Sequence, residues 1–176
     1  MRNRIEFAFK KIMNIFYLDN DTELCAKHHC DKHVVKMILE TAQLLSTAHR
    51  VLDGDGYADN NNLYKATHKN HPSAVWVRQS DQNYLWTLSL LLELIKQYTK
   101  RYNKKWNKLK SDALVKGLMS TPTTIARSNF TTPPQCMPDN YKHENTITAY
   151  KNYYIGDKAR FAKWNYTDSP EWFTKR

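Results

Sequence analysis

From Asp31 to about Leu52 the apolar positions return every third or fourth residue, at Val34, Ile38, Thr41 or Ala42, Leu45, Ala48 and Leu52. That is the period of a helix that buries one stripe, and Asp31 stands where a cap belongs. A second long stripe comprises Tyr84, Leu88, Leu91, Ile95, Tyr98 and Tyr102. Its helix is entered through H-P-S-A-V-W-V-R, with Pro72 in a first turn where a missing N–H costs nothing. Asp21 or Thr22 caps a short helix before Cys25, and a last helix runs from about Asn145 to Tyr154. The segment D-G-D-G-Y-A-D-N-N-N from Asp53 reads as a loop, because Gly, Asn and Asp supply conformations that helices reject. Ser120 to Pro138, rich in Thr and Pro and free of Asp and Glu, reads as an ordered loop packed across the body. Trp164, Trp172 and Phe173 give the tail apolar anchors with which to fold back. No repeat and no alternating run of strand length occurs. The pattern predicts an all-α, compact single-domain helical bundle with long loops and a packed C-terminal tail. It spans residues 13–176, with residues 1–12 as an N-terminal extension ahead of a second methionine, Met13.

Composition narrows the partners. The 176 residues carry a formal net charge of +10, with 41% hydrophobic and 12% aromatic side chains. Such a chain can fold alone, and its charge favours polyanions. The richest apolar stretch, Leu85 to Ile95, contains Glu93 and is too short for a bilayer, so no membrane partner is expected. The first residues lack an apolar core of signal-peptide length. Three cysteines, an odd number, read as reduced thiols in a cytoplasmic protein. No P-loop, dinucleotide-binding glycine pattern or serine nucleophile elbow is present, and nothing calls for a cofactor or an obligatory protein partner.

Four constellations could carry chemistry. His33, Lys36, Glu40 and Gln43 are spaced by three, four and three, so they share one side of the first long helix over about 15 Å. An imidazole, an amine and a carboxylate on one wall suit acid–base work, although the same spacing also describes a solvated lysine–glutamate face. C-A-K-H-H-C-D-K-H gathers Cys25, His29, Cys30 and His33, residues that can ligate zinc. The second close pair that a zinc site needs does not recur downstream, so small core cysteines are the simpler reading and no metal is assigned. Lys96 to Lys110 interleaves Lys104, Lys105 and Lys108 with rings. Tyr150 to Arg160 does the same with Tyr150, Lys151, Tyr153, Tyr154 and Lys158. Rings that stack on bases beside cations that meet phosphates make both segments candidate DNA contacts, against the alternative of solvated helix ends.

The residues that carry these patterns also resemble a family. C-D-K-H-V-V-K-M-I-L-E-T-A-Q-L-L resembles the first-helix motif of the pyrimidine-dimer DNA glycosylase, or endonuclease V, family, with Glu40 as far from Asp31 as that family's carboxylate is from its aspartate. H-P-S-A-V-W from His71 is similar to the entry to the second helix in the family's bacterial branch. Pro133–Pro134 resembles its diproline loop, and Y-K-N-Y-Y-I-G-D-K-A from Tyr150 resembles the tail of the phage enzyme. The resemblance touches most of the chain from Met13 onward, and its first-helix motif is the specific part. It implies an all-helical, phage-encoded enzyme of the host cytoplasm, acting in DNA repair on a duplex with a flipped base. Such an enzyme cleaves the glycosidic bond through an N-terminal amine and then breaks the backbone by β-elimination. By the same resemblance Glu40 is the essential carboxylate, His33 an active-site histidine, and Gln43 the position of a DNA-contacting arginine, as is Leu39. Lys36 is an internal amine that could form the Schiff base, because the family's exposed threonine is replaced here by Met13 followed by Asn14. A noncatalytic DNA-binding accessory protein and a phage base- or nucleotide-modifying enzyme are the competing expectations.

Overall fold

The computed structural model describes residues 13–105 and 112–174. Among these the chain forms seven α-helices and no strand, so the architecture is all-α. They are α1 (Thr22–His28), α2 (Asp31–Asp53), α3 (Asp55–Asn60), α4 (Pro72–Val77), α5 (Asp81–Tyr102), α6 (Asp112–Leu118) and α7 (Thr146–Tyr153). The last runs into one π-turn, Tyr154–Lys158.

The centre of the bundle is α2, with α5 packed along it, α4 on another face, and α1 against α5. Its predicted stripe is buried at Val34, Ile38, Ala42, Leu45 and Ala48. Burial extends further, to Met37 and Leu44 and to the polar His33, Glu40, Thr41, Ser46, Thr47, His49 and Arg50. A helix covered on most sides needs partners for its polar groups. Ser46 Oγ donates back to the Ala42 carbonyl at 2.8 Å, and His49 Nε2 lies 2.9 Å from both the Tyr84 hydroxyl and the Ser120 carbonyl.

Three sequence expectations are corrected here. Asp31 does not cap α2: Cys30 holds that position without a side-chain bond. The Asp31 carboxylate instead pairs with buried Arg101 at 3.1 Å and accepts the Asn165 N–H at 2.7 Å. Second, the helix entered at Pro72 is two helices. α4 stops at Val77, and α5 starts afresh from Ser80, whose hydroxyl accepts the Asn83 N–H at 3.1 Å. Third, the Gly/Asp/Asn segment is not all loop. The chain turns at Gly54, whose φ of +78° favours glycine, and again at Asn61 and Asn62, after α3. Arg50 then reaches Asp55 at 2.6 Å and Asp59 at 2.8 Å, carboxylates one turn apart, and Ala58 is buried beneath them. That clamp organises α3.

The Thr/Pro loop is ordered by buried Asn83, which no periodicity singles out. Its Nδ2 donates to the Trp76 carbonyl and to Thr131 Oγ1, both at 3.0 Å, and its Oδ1 accepts the Thr131 N–H at 2.9 Å. The tail folds back as expected, with Phe173 against Trp164 at 4.6 Å and Trp172 against His28. Gly156 in the π-turn permits the close approach of the Tyr141 ring, which a Cβ there would strike.

Candidate functional site

The wall read from the sequence forms on α2, but most of it is buried. His33 and Glu40 are 2% and 1% exposed, whereas the Lys36 side chain is 43% exposed and its Nζ lies 3.5 Å from Glu40 Oε1. Gln43 is half-buried one turn further along. The reading of this face as wholly solvated therefore fails: a carboxylate is held out of water with an ammonium at its edge. Such pairs persist only when both geometry and surroundings compensate the lost hydration.

At the other end of the wall, His33 Nδ1 meets the Tyr154 hydroxyl at 2.5 Å, and its ring tilts against Phe16 at 4.4 Å between centroids. The Cys30 N–H already donates to the Tyr154 oxygen at 3.4 Å. Burial holds that phenol well above its ordinary pKa, so its proton is available to His33 Nδ1. Burial first, then His29 and the cations Lys36, Lys158 and Lys32, push the His33 imidazole well below its ordinary value. His33 is thus a neutral ring in a positive field. The π-turn contributes Lys158, set 4.4 Å over the Tyr153 ring and 2.8 Å from Asp157, while Tyr153 in turn stacks on Phe16. Phe16 makes these contacts from a left-handed backbone conformation, φ 54°, which is strained for a phenylalanine.

The residues around Cys25 do not converge as ligands. Cys25 and Cys30 are buried free thiols, and His29 Nδ1 donates to the Cys25 carbonyl at 2.7 Å. Among the described residues, no three His, Cys, Asp or Glu side chains are grouped to hold a metal ion. His29 carries a pH signature instead. Burial lowers its pKa from 6.5 to about 4. The unfolded chain therefore binds its proton first, so this contribution to stability is intact above pH 6.5 and is lost as pH falls towards 4. It is worth on the order of 3 kcal/mol. The unfolding midpoint is expected to drop between pH 6.5 and 4.5. His29→Asn, which keeps a donor for the Cys25 carbonyl, should flatten that drop, as thermal melts across the range would read.

Several candidate DNA contacts lie elsewhere than expected. Tyr150 and Tyr154 are fully buried and Tyr153 nearly so. The Tyr150 hydroxyl donates to the Pro134 carbonyl at 2.7 Å, so Tyr150 and Tyr154 build the core and the site, and the expectation that these two rings stack on DNA is corrected. Lys151 is half-buried over the Trp172 ring. Arg101, within the basic run, is consumed by Asp31 and by the His29 and Lys27 carbonyls. Lys104 and Lys105 are exposed just beyond α5, at the end of the bundle where Arg101 ties α5 to the start of α2; Lys105 lies 3.6 Å from exposed Asp112. Lys108 lies outside the described residues.

The segment that the resemblance aligns with a free N-terminus is also inside. Met13 and Asn14 are 1% and 2% exposed, and Asn14 Nδ2 donates to the Cys136 carbonyl at 2.8 Å. Comparison with family models, curated proteins and solved structures gives no match. The site therefore stands on its own geometry. Among the described residues no helix is long and apolar enough to cross a membrane.

Proposed function

We propose that the chain is a DNA-acting enzyme of the glycosylase and abasic-site lyase type, working in the cytoplasm. The observation that carries this reading is the Glu40 carboxylate, withdrawn from water on the central helix with the Lys36 amine 3.5 Å away. The net charge of +10 supports a polyanionic partner, and three free cysteines, two of them buried, support a reducing compartment. In such a reaction an amine attacks C1′ of the deoxyribose of a flipped nucleotide. The base leaves, and a Schiff base forms as the ring opens. Loss of a C2′ proton then expels the 3′ phosphate. A fixed carboxylate stabilises the cationic sugar and moves protons. Lys36 is the amine of choice here, because Met13 is buried within the chain while the Lys36 side chain reaches solvent.

The burial of Met13 equally favours a second reading, an accessory protein that binds DNA on this scaffold without cleaving it. Borohydride separates the two, since it reduces a Schiff base to a stable link. Wild-type protein with abasic duplex is expected to give a covalent protein–DNA species that Lys36→Arg, charged but unable to form the imine, no longer gives. Binding without any trapped species from the wild type would favour the accessory reading.

A further inference from the structure

We propose that two adjoining depressions form one nucleotide-binding surface, in which a strand phosphate sits in a basic cleft at Lys69 and Arg78 and an unstacked base lies in the apolar slot floored by Tyr153. The inference rests on the DNA reading above and gives it a location away from the basic segment after α5.

The cleft has a volume of about 630 Å³ and is walled by Arg50, Asp55, Lys65, Lys69 and Arg78. Arg50 is scaffold: its guanidinium bonds Asp55, Asp59 and the Tyr64 and Leu63 carbonyls. Lys65 is shared with Asp59 at 3.1 Å. Lys69 and Arg78 remain, and among the described residues neither enters an ion pair. Arg78 Nη1 donates to the Lys69 carbonyl at 2.7 Å, which fixes the guanidinium in the wall and ties the two cations together. Burial pulls the Arg78 pKa down, as it does for a cation that lacks a counter-charge. A held guanidinium with spare forked donors beside a free ammonium is matched by a phosphate.

The slot, about 420 Å³, is lined by His71, Pro72, Pro134, Cys136, Met137 and Tyr153. Its walls are apolar and ring-bearing, and its volume falls within the roughly 300–1,000 Å³ of small-molecule cavities. The Tyr153 ring is held by Phe16, Tyr141 and Lys158, and the His71 imidazole is oriented by accepting the Ser73 N–H at 3.1 Å. Rings fixed in the wall of an apolar slot contact a base with little regard to sequence. The two depressions are lined by consecutive residues, Asn70 in the cleft and His71 in the slot, whose Cα atoms are about 3.8 Å apart. A strand crossing there puts charge on one side and a base on the other. The slot's floor then leads through Phe16 to His33.

The test uses the full chain and a fluorescein-labelled oligothymidylate, whose bases need no extrusion from a duplex. Lys69→Gln/Arg78→Gln is expected to weaken binding about tenfold and to flatten the salt dependence by about 1.4, two contacts at about 0.7 each on a single strand. Lys104→Gln/Lys105→Gln should leave the slope as it is. Lys69→Gln alone, a change at an exposed side chain, should remove about half the effect if the double variant folds poorly. Cys136 is the one cysteine not fully buried, so single alkylation by N-ethylmaleimide, read by mass, should slow when the strand is bound. An unchanged slope in both Lys69 variants, or unprotected Cys136 under saturating strand, overturns this surface and leaves DNA action standing. A wild-type protein that binds neither strand nor duplex overturns both.

Discussion

Replacing Arg101 by methionine is expected to destabilise the protein by roughly 3–5 kcal/mol, the cost of leaving a buried charge without its partner. The Arg101 side chain is fully buried, and its guanidinium joins Asp31 to the carbonyls of His29 and Lys27. Methionine keeps much of the stem's volume but strands the Asp31 carboxylate, which retains only the Asn165 N–H, and leaves both carbonyls unbonded. For a chain of this size the unfolding midpoint should fall by roughly 10 °C. Asp31→Asn in the same background should restore part of the loss, because the amide oxygen still accepts from Asn165 and no charge remains. Equal destabilisation in the single and double variants would show that packing, not the ion pair, ties α1, α2 and α5 together.

Much of this scaffold is legible in the sequence. The stripes from Val34 and from Tyr84 report α2 and α5 because a helix buried along one side repeats at 3.6 residues whatever covers it. Asp21 does cap α1, accepting the Leu24 N–H at 2.9 Å, and Pro72 opens α4. The break before Ser80 shows only as six polar residues, Arg78 to Asn83, between the two apolar stretches, which a reading by stripe alone passes over. α3 is hidden, because its composition argues for a loop and its helix depends on Arg50 in the last turn of α2. The site is half legible. Spacing places His33, Lys36, Glu40 and Gln43 on one wall, but a lysine four residues before a glutamate reads the same on a wet surface as over a buried carboxylate. Burial of that face is conferred by segments far along the chain, such as the π-turn that brings Tyr154 to His33. The same ambiguity misplaced Tyr150 and Tyr154, because rings interleaved with cations describe a core helix as well as a DNA contact. Lys69 and Arg78 give no periodic signal at all; a bond between the side chain of one and the carbonyl of the other joins them.

Glu40→Gln carries the other large effect and bears most directly on catalysis. Glutamine fills the same volume, and Lys36, being partly exposed, returns to water when its partner loses charge, so the unfolding midpoint and DNA affinity should change little. The chemistry should not survive as well, because the neutral amide neither stabilises a cationic sugar nor takes up its proton, and such groups contribute roughly 10²–10⁴-fold. The decisive measurement is single-turnover nicking of abasic and pyrimidine-dimer duplexes by wild type and Glu40→Gln, each at saturating protein. Nicking by the wild type, with a loss of roughly that size in the folded, DNA-bound variant, is the predicted result. Nicking by Glu40→Gln at the wild-type rate would contradict the role assigned to this carboxylate, and no nicking of either duplex by the wild type would contradict the enzyme itself.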